Sequence, residues 1–195
     1  MNTPLPGLAI LLAAALALTP GCATSDPVTR TNAANASASQ ISRDSRRALA
    51  SLYSQNRGAR ALGSNARAVL VFPSVTRAGF VLGGQAGNGA MLRRDGSVSG
   101  FYQTASASWG LQAGVQKFGY ALFLMDDAAV RNVNRTGGWE IGGSPNLVVV
   151  DRGMATSLST TTINSGTYAF FFDQRGLMAG LGLQGTKITR INPGR

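Results

Sequence analysis

The chain has 195 residues, with 18 Lys and Arg against 8 Asp and Glu and no His, for a formal net charge of +10. Without His, the usual general base and the commonest metal ligand are both missing, and Glu140 is the only Glu, so neither an enzyme nor a metal or cofactor site is expected. Cys22 is the single cysteine, which excludes an intrachain disulfide and leaves the fold to rest on its core.

Residues 8–18 are nearly all Leu, Ala and Ile. That is the length of a signal-peptide core and well short of the ~20 residues of a membrane-spanning helix. The run leads into Leu18-Thr19-Pro20-Gly21-Cys22-Ala23, a thiol behind a small residue, which resembles a bacterial lipobox. In a lipobox the sulfur receives a diacylglycerol and the leader is cut away. The reading is a signal peptide over 1–21 and lipidation at Cys22, with membrane attachment through the acylated sulfur. An ordinary cleaved signal or a buried free cysteine is the alternative. Two features depart from the lipobox pattern: no Lys or Arg precedes the apolar run, and Thr19 stands where Leu is usual. Ala23, in place of Asp, resembles lipoproteins passed to the outer membrane of Gram-negative bacteria, which implies an envelope address facing the periplasm or the cell surface.

Residues 22–40 are dominated by Ala, Ser, Thr and Asn with little to bury, the composition of a flexible tether. The remaining residues, 41–195, are enough for one domain with its own core. Ser42 is read as the cap of a basic, modestly amphipathic helix with Asp44 in its first turn, an apolar stripe of Ile41, Ala48, Leu49, Leu52 and Tyr53, and a stop at Gly58. Its stripe packs either on the domain or on an anionic membrane surface.

From Ala66 the pattern turns from helical to alternating. Residues 69–73 read as a buried strand ended by Pro73, and residues 78–83 as its successor. The glycine-rich run from Gly83 to Gly89 fits neither a dinucleotide fingerprint nor a phosphate loop and reads as a sharp turn or bulge. Asp95-Gly96 is a two-residue hairpin signal. Trp109, Leu111, Ala113 and Val115 alternate with Gly110, Gln112, Gly114 and Gln116 as one strand. Residues 126–130 read as a short helix with acidic residues at its start, followed by Gly137-Gly138. Leu177, Ala179, Leu181 and Leu183 alternate with glycines near the end, where a glycine face suits close backbone approach or strong curvature. The fold class is α+β: a curved, mainly antiparallel, glycine-rich sheet, partly barrel-like, with an N-terminal helix and one or two short helices. The readable strands, about six or seven residues, fall short of the ~9–11 of an outer-membrane barrel.

Sixteen of the eighteen basic residues are Arg. Guanidinium forks match phosphate oxygens, so the charge favours anionic partners, unless it is only a solvated surface. Nucleic acid is disfavoured by the export signal and by the absence of any zinc-finger or aromatic-basic motif. The candidate contacts for anionic lipid are Arg43, Arg46 and Arg47 on the helix, joined by Arg93 and Arg94 at the hairpin.

Four blocks carry a family resemblance: Val71-Phe72-Pro73 with Ala78-Gly79-Phe80 and Gly83-Gly84; Gly110 to Gln116; Gly142-Gly143; and Tyr168 to Phe172, a turn, then Gly176 to Leu181 with Gly185. In that order they resemble the SYLF domain, which occurs in bacterial lipoproteins and in eukaryotic lipid- and actin-binding proteins. The likeness spans about residues 45 to 190 and implies lipid association in general. Val98-Ser99 replace a Trp-centred motif of many members, and the basic positions of eukaryotic members do not map onto this chain. The expectation is a lipid-anchored envelope lipoprotein whose basic domain associates with anionic head groups. The alternative is a scaffold lipoprotein acting through contacts with envelope proteins or with itself.

Overall fold

The computed structural model describes residues 36–79, 82–109, 114–141, 146–150, 166–176, 183 and 185–194. The leader, Cys22, the tether up to residue 35, and the segments 110–113, 142–145 and 177–182 lie outside the described residues.

Helix α1 (Ala38–Gln55) begins four residues before the predicted cap at Ser42, within the segment read as tether. Ser37 is the cap, its Oγ accepting from the Gln40 N–H, while the Ser42 hydroxyl bonds back to the Ala38 carbonyl inside the helix. The Ala38 N–H also donates to the Gly194 carbonyl at 2.9 Å, so the helix start is tied to the far end of the chain. The predicted stop at Gly58 is likewise displaced. Asn56 ends α1, and its side chain accepts from the Ala59 N–H to open helix α2 (Arg57–Asn65), which contains Gly58. One asparagine thus caps two helices, which a glycine signal conceals.

Strands β1 (Ala68–Gly79), β2 (Leu82–Arg93), β3 (Val98–Trp109), β4 (Gly114–Leu124), β5 (Trp139–Glu140), β6 (Leu147–Val150), β7 (Thr167–Gly176) and β8 (Lys187–Ile191) form one sheet in the order β5-β8-β3-β2-β1-β4-β7-β6. Every described pairing is antiparallel except β6 with β7. Helix α3 (Asp127–Val133) follows β4, with Asp126 as its cap. The α+β class and the curled, mostly antiparallel, half-barrel sheet stand as predicted.

The strands are longer than the sequence suggests. β1, β2 and β3 each run 12 residues, so the strand-length argument against a barrel does not hold. Pro73 does not end β1. Between Phe72 and Val75 the register against β4 slips by one residue, and a matching slip occurs against β2, so Pro73 sits in a bulge of a central strand, where its missing N–H is tolerated. Residues 78–83 are not a separate strand: Gly79 closes β1 and Leu82 opens β2. The glycine run that follows is no turn either but part of β2. A Cβ on Gly89 would strike the Val71 carbonyl oxygen, and one on Gly87 would lie 2.6 Å from that of Ser74, so these glycines let β2 lie against the bulge.

Trp109 and Val115 belong to different strands, β3 and β4, that are not sheet neighbours, which overturns the single strand expected there. The turn expected after Phe172 is also a bulge. β7 continues through Asp173, whose φ of 51° accompanies a register slip against β4. The Asp95-Gly96 hairpin joins β2 to β3 as predicted, with Gly96 at φ 77° and the Arg93 N–H donating to the Ser97 carbonyl.

Alternation along the strands separates two cores. Val69, Val71, Ala121 and Phe123 pack with Ile41, Leu52, Ala59 and Leu62 under α1 and α2. Leu70, Phe72, Tyr120 and Leu122 face the other side with Tyr102 and Met91. Trp139 of β5 at one sheet edge and Leu147 of β6 at the other both pack on this second core, which requires the sheet to curl around it. Among the described residues no helix is long and apolar enough to cross a membrane.

Candidate functional site

The apolar stripe of α1 packs on the sheet: Ile41 and Leu52 are buried, with Ala48, Leu49 and Tyr53 half-buried against the same core. The flank beside the stripe carries Arg46, Leu49, Ala50 and Tyr53 at the three- and four-residue steps that align side chains on a helix. These residues form one wall of a groove of about 420 Å³. Arg60, Gly63 and Ser64 of α2 form a second wall by the same spacing. Val69, Leu92, Arg93, Arg94 and Gly96 close the third side, from the start of β1 and the β2–β3 hairpin.

Tyr53 shapes the floor. A Cβ on Gly63 would collide with its hydroxyl, so glycine there lets the ring lie across α2. Burial pushes the phenol up to about 12, so it stays a neutral hydrogen-bonding group at any physiological pH.

Backbone carbonyls hold three of the groove's four arginines in place. Arg46 donates from Nε to the Gly96 carbonyl at 3.2 Å, and Arg60 donates from Nε and Nη2 to the Tyr53 carbonyl at 3.1 and 2.8 Å. Arg94 reaches the Ala66 carbonyl at 3.5 Å. A carbonyl fixes a guanidinium without neutralising it. Among the described residues lining the groove there is no Asp or Glu; Asp95, in the hairpin beside Arg93, offsets part of that arginine's charge, and the rim stays net positive over an apolar floor.

Of the predicted lipid contacts, the fold brings Arg46, Arg93 and Arg94 to this one groove and leaves Arg43 and Arg47 off it. Arg43 donates to the Gln40 side chain, and Arg47 lies 3.9 Å from the Asp44 carboxylate. Arg60 was missed because Gly58 read as a helix stop. The Asn56 cap, followed by apolar Ala59 and Leu62 at a three-residue step, was the signal that would have found it.

On the far side of Arg93 and Arg94 lies an open polar basin of about 780 Å³, reached by Arg67 and Arg190. Its charge is mixed, since Asp95 and Asp127 line it too and Arg67 stands 3.7 Å from Asp127.

Residues 105–192 match the family model described as Ysc84, Las17-binding protein actin regulator. Over these residues the chain is similar to the SYLF family. It is 28% identical over 125 residues to Protein YSC84 of Saccharomyces cerevisiae, an alignment covering 61% of this chain and 27% of the yeast protein. The chain therefore spans little more than a quarter of that curated relative. The family match begins within β3 and ends just after β8, so it takes in β4 to β8, while α1, α2, β1, β2 and every residue lining the arginine groove lie upstream of it.

Proposed function

We propose that this chain is a lipid-anchored bacterial envelope lipoprotein whose SYLF domain associates with anionic lipid head groups. The observation that carries the binding half of this reading is the convergence of Arg46, Arg60, Arg93 and Arg94 on one groove free of lining carboxylates. Phosphate-bearing head groups suit such a rim, because guanidinium forks bind phosphate oxygens through charge-assisted hydrogen bonds. The address rests on the sequence around Cys22. An acyl anchor there makes head-group contacts effectively intramolecular, so individually weak contacts suffice. The matching family is described by actin regulation; an exported, anchored chain would not meet actin, which favours the lipid side of the resemblance.

The test uses the chain from Ala23 onward, which retains every described element, on neutral and anionic vesicles across a salt series. Binding confined to anionic vesicles and weakening as salt rises is expected. Failure to bind, or equal binding to neutral vesicles, overturns the reading and leaves the scaffold alternative, whose mark is a specific envelope protein recovered by crosslinking.

A further inference from the structure

We infer that the groove between α1, α2 and the β2–β3 hairpin is an open-sided binding site for one single-chain lipid with a phosphate head, an inference that rests on the proposed lipid role. This differs from contact with a bilayer surface. A surface contact needs only exposed cations, whereas this site also has an apolar floor made by Leu49, Tyr53, Val69 and Leu92.

Three features select the occupant. The floor and rim lie in one continuous groove, so a ligand filling it must be apolar at one end and anionic at the other. The volume of about 420 Å³ falls toward the small end of the range of roughly 300–1,000 Å³ for small-molecule sites, which suits one alkyl chain better than two. Four guanidinium groups line the groove, and although Asp95 offsets Arg93 from the basin side, the other three still exceed what a single carboxylate head requires and match a phosphate monoester carrying about −1.5 to −2 charges. The arginines are also preorganised. The carbonyls of Gly96, Tyr53 and Ala66 already hold Arg46, Arg60 and Arg94, so less side-chain freedom is lost when a ligand binds. The neighbouring basin lacks these properties, being polar and carrying Asp95 and Asp127 among its arginines.

Ala50 of α1 and Ser64 of α2 both line the groove from exposed positions. Either can be enlarged to block the floor without touching an arginine or a buried residue.

The deciding experiment is calorimetric titration of the full chain with dodecyl phosphate below its micelle concentration. Dodecyl maltoside, the same tail with an uncharged head, and inorganic phosphate, the head without a tail, are run beside it. Saturable binding at one site is expected for dodecyl phosphate, at least about tenfold tighter than for the maltoside, with inorganic phosphate weaker still. Ala50→Trp and Ser64→Trp, each checked for folding by circular dichroism, are expected to weaken dodecyl phosphate binding by about tenfold or more. Equal affinity for phosphate and maltoside heads overturns the inference on wild-type protein alone. Wild-type affinity in either folded blocking variant does so as well. Vesicle binding without dodecyl phosphate binding removes this inference and leaves the surface reading standing, while the converse removes only the surface reading.

Discussion

Arg46 on the first helix donates through Nε to the carbonyl oxygen of Gly96 in the hairpin turn, fifty residues further along the chain. The contact is exposed and worth no more than about 1 kcal/mol to stability. Its consequence is positional: it brings a helix arginine to the same groove as Arg93 and Arg94.

The five arginines named from the sequence should therefore not behave alike on membranes. Arg46→Glu and Arg94→Glu, placed singly in the chain from Ala23, are expected to weaken anionic-vesicle binding by about fivefold or more each, since each basic residue near such a surface contributes about 1 kcal/mol. Arg43→Glu and Arg47→Glu, which lie off the groove, should weaken it less. Vesicle sedimentation measures the difference, and equal effects at all four positions would remove the groove as the binding centre.

Acylation at Cys22 is open to a direct check. Cells expressing the full chain and fed a radioactive fatty acid should label the wild type and not Cys22→Ala. Label retained by the alanine variant would refute the anchor.

Gly89 lies where a methyl group would strike the Val71 carbonyl and the Phe72 ring. Gly89→Ala must push β2 away from the β1 bulge, and a loss of about 1–3 kcal/mol is expected in urea unfolding. Gly194→Ala, where nothing lies within 4 Å of the added carbon, is the neutral control.

Asp126 accepts from the Ala129 N–H at 2.7 Å and from the Gly166 N–H at 2.8 Å, capping α3 and pinning the start of β7. These bonds, that from Gly166 first, hold its carboxyl below the usual range. A depressed carboxyl contributes stability that is present above its unfolded value of about 3.9 and is lost as pH falls through the folded value. Asp126→Ala should cost about 1–2 kcal/mol near neutral pH. The gap in melting temperature from wild type should narrow below pH ~4, and a gap independent of pH would contradict the assignment.

Tyr120 donates to Thr104 Oγ1 at 2.7 Å within the second core, and both residues are fully buried. Tyr120→Phe leaves the threonine hydroxyl without this partner, at an expected cost of about 1–2 kcal/mol. Adding Thr104→Val should recover part of it, and a double-mutant cycle with no coupling would show that the bond carries nothing.

Local signals in the sequence were read correctly where two to four residues suffice to make the structure. Asp95-Gly96 sets a hairpin because glycine relieves the positive φ of its turn, and Asp126 with Asp127 opens α3 because carboxylates suit a helix start. The same local logic misplaced Pro73, Gly58 and the glycines of β2. A proline usually ends a strand and a glycine usually breaks an element, but here a bulge absorbs the first, a shared asparagine cap overrides the second, and close packing on β1 explains the third.

By itself the sequence determined the α+β class, the order of the glycine-rich blocks and an excess of arginine over carboxylate. These are sums over composition or patterns between near neighbours, which need no folded partner. Only the tertiary structure decided which arginines lie together. Arg46, Arg60 and Arg94 are held by the carbonyls of Gly96, Tyr53 and Ala66, and the pairs that set the groove, Arg46 with Gly96 and Arg94 with Ala66, join residues far apart in the chain. A sequence lists charges but does not measure the distances between them, and those distances separate a scattered basic surface from one cationic rim over an apolar floor.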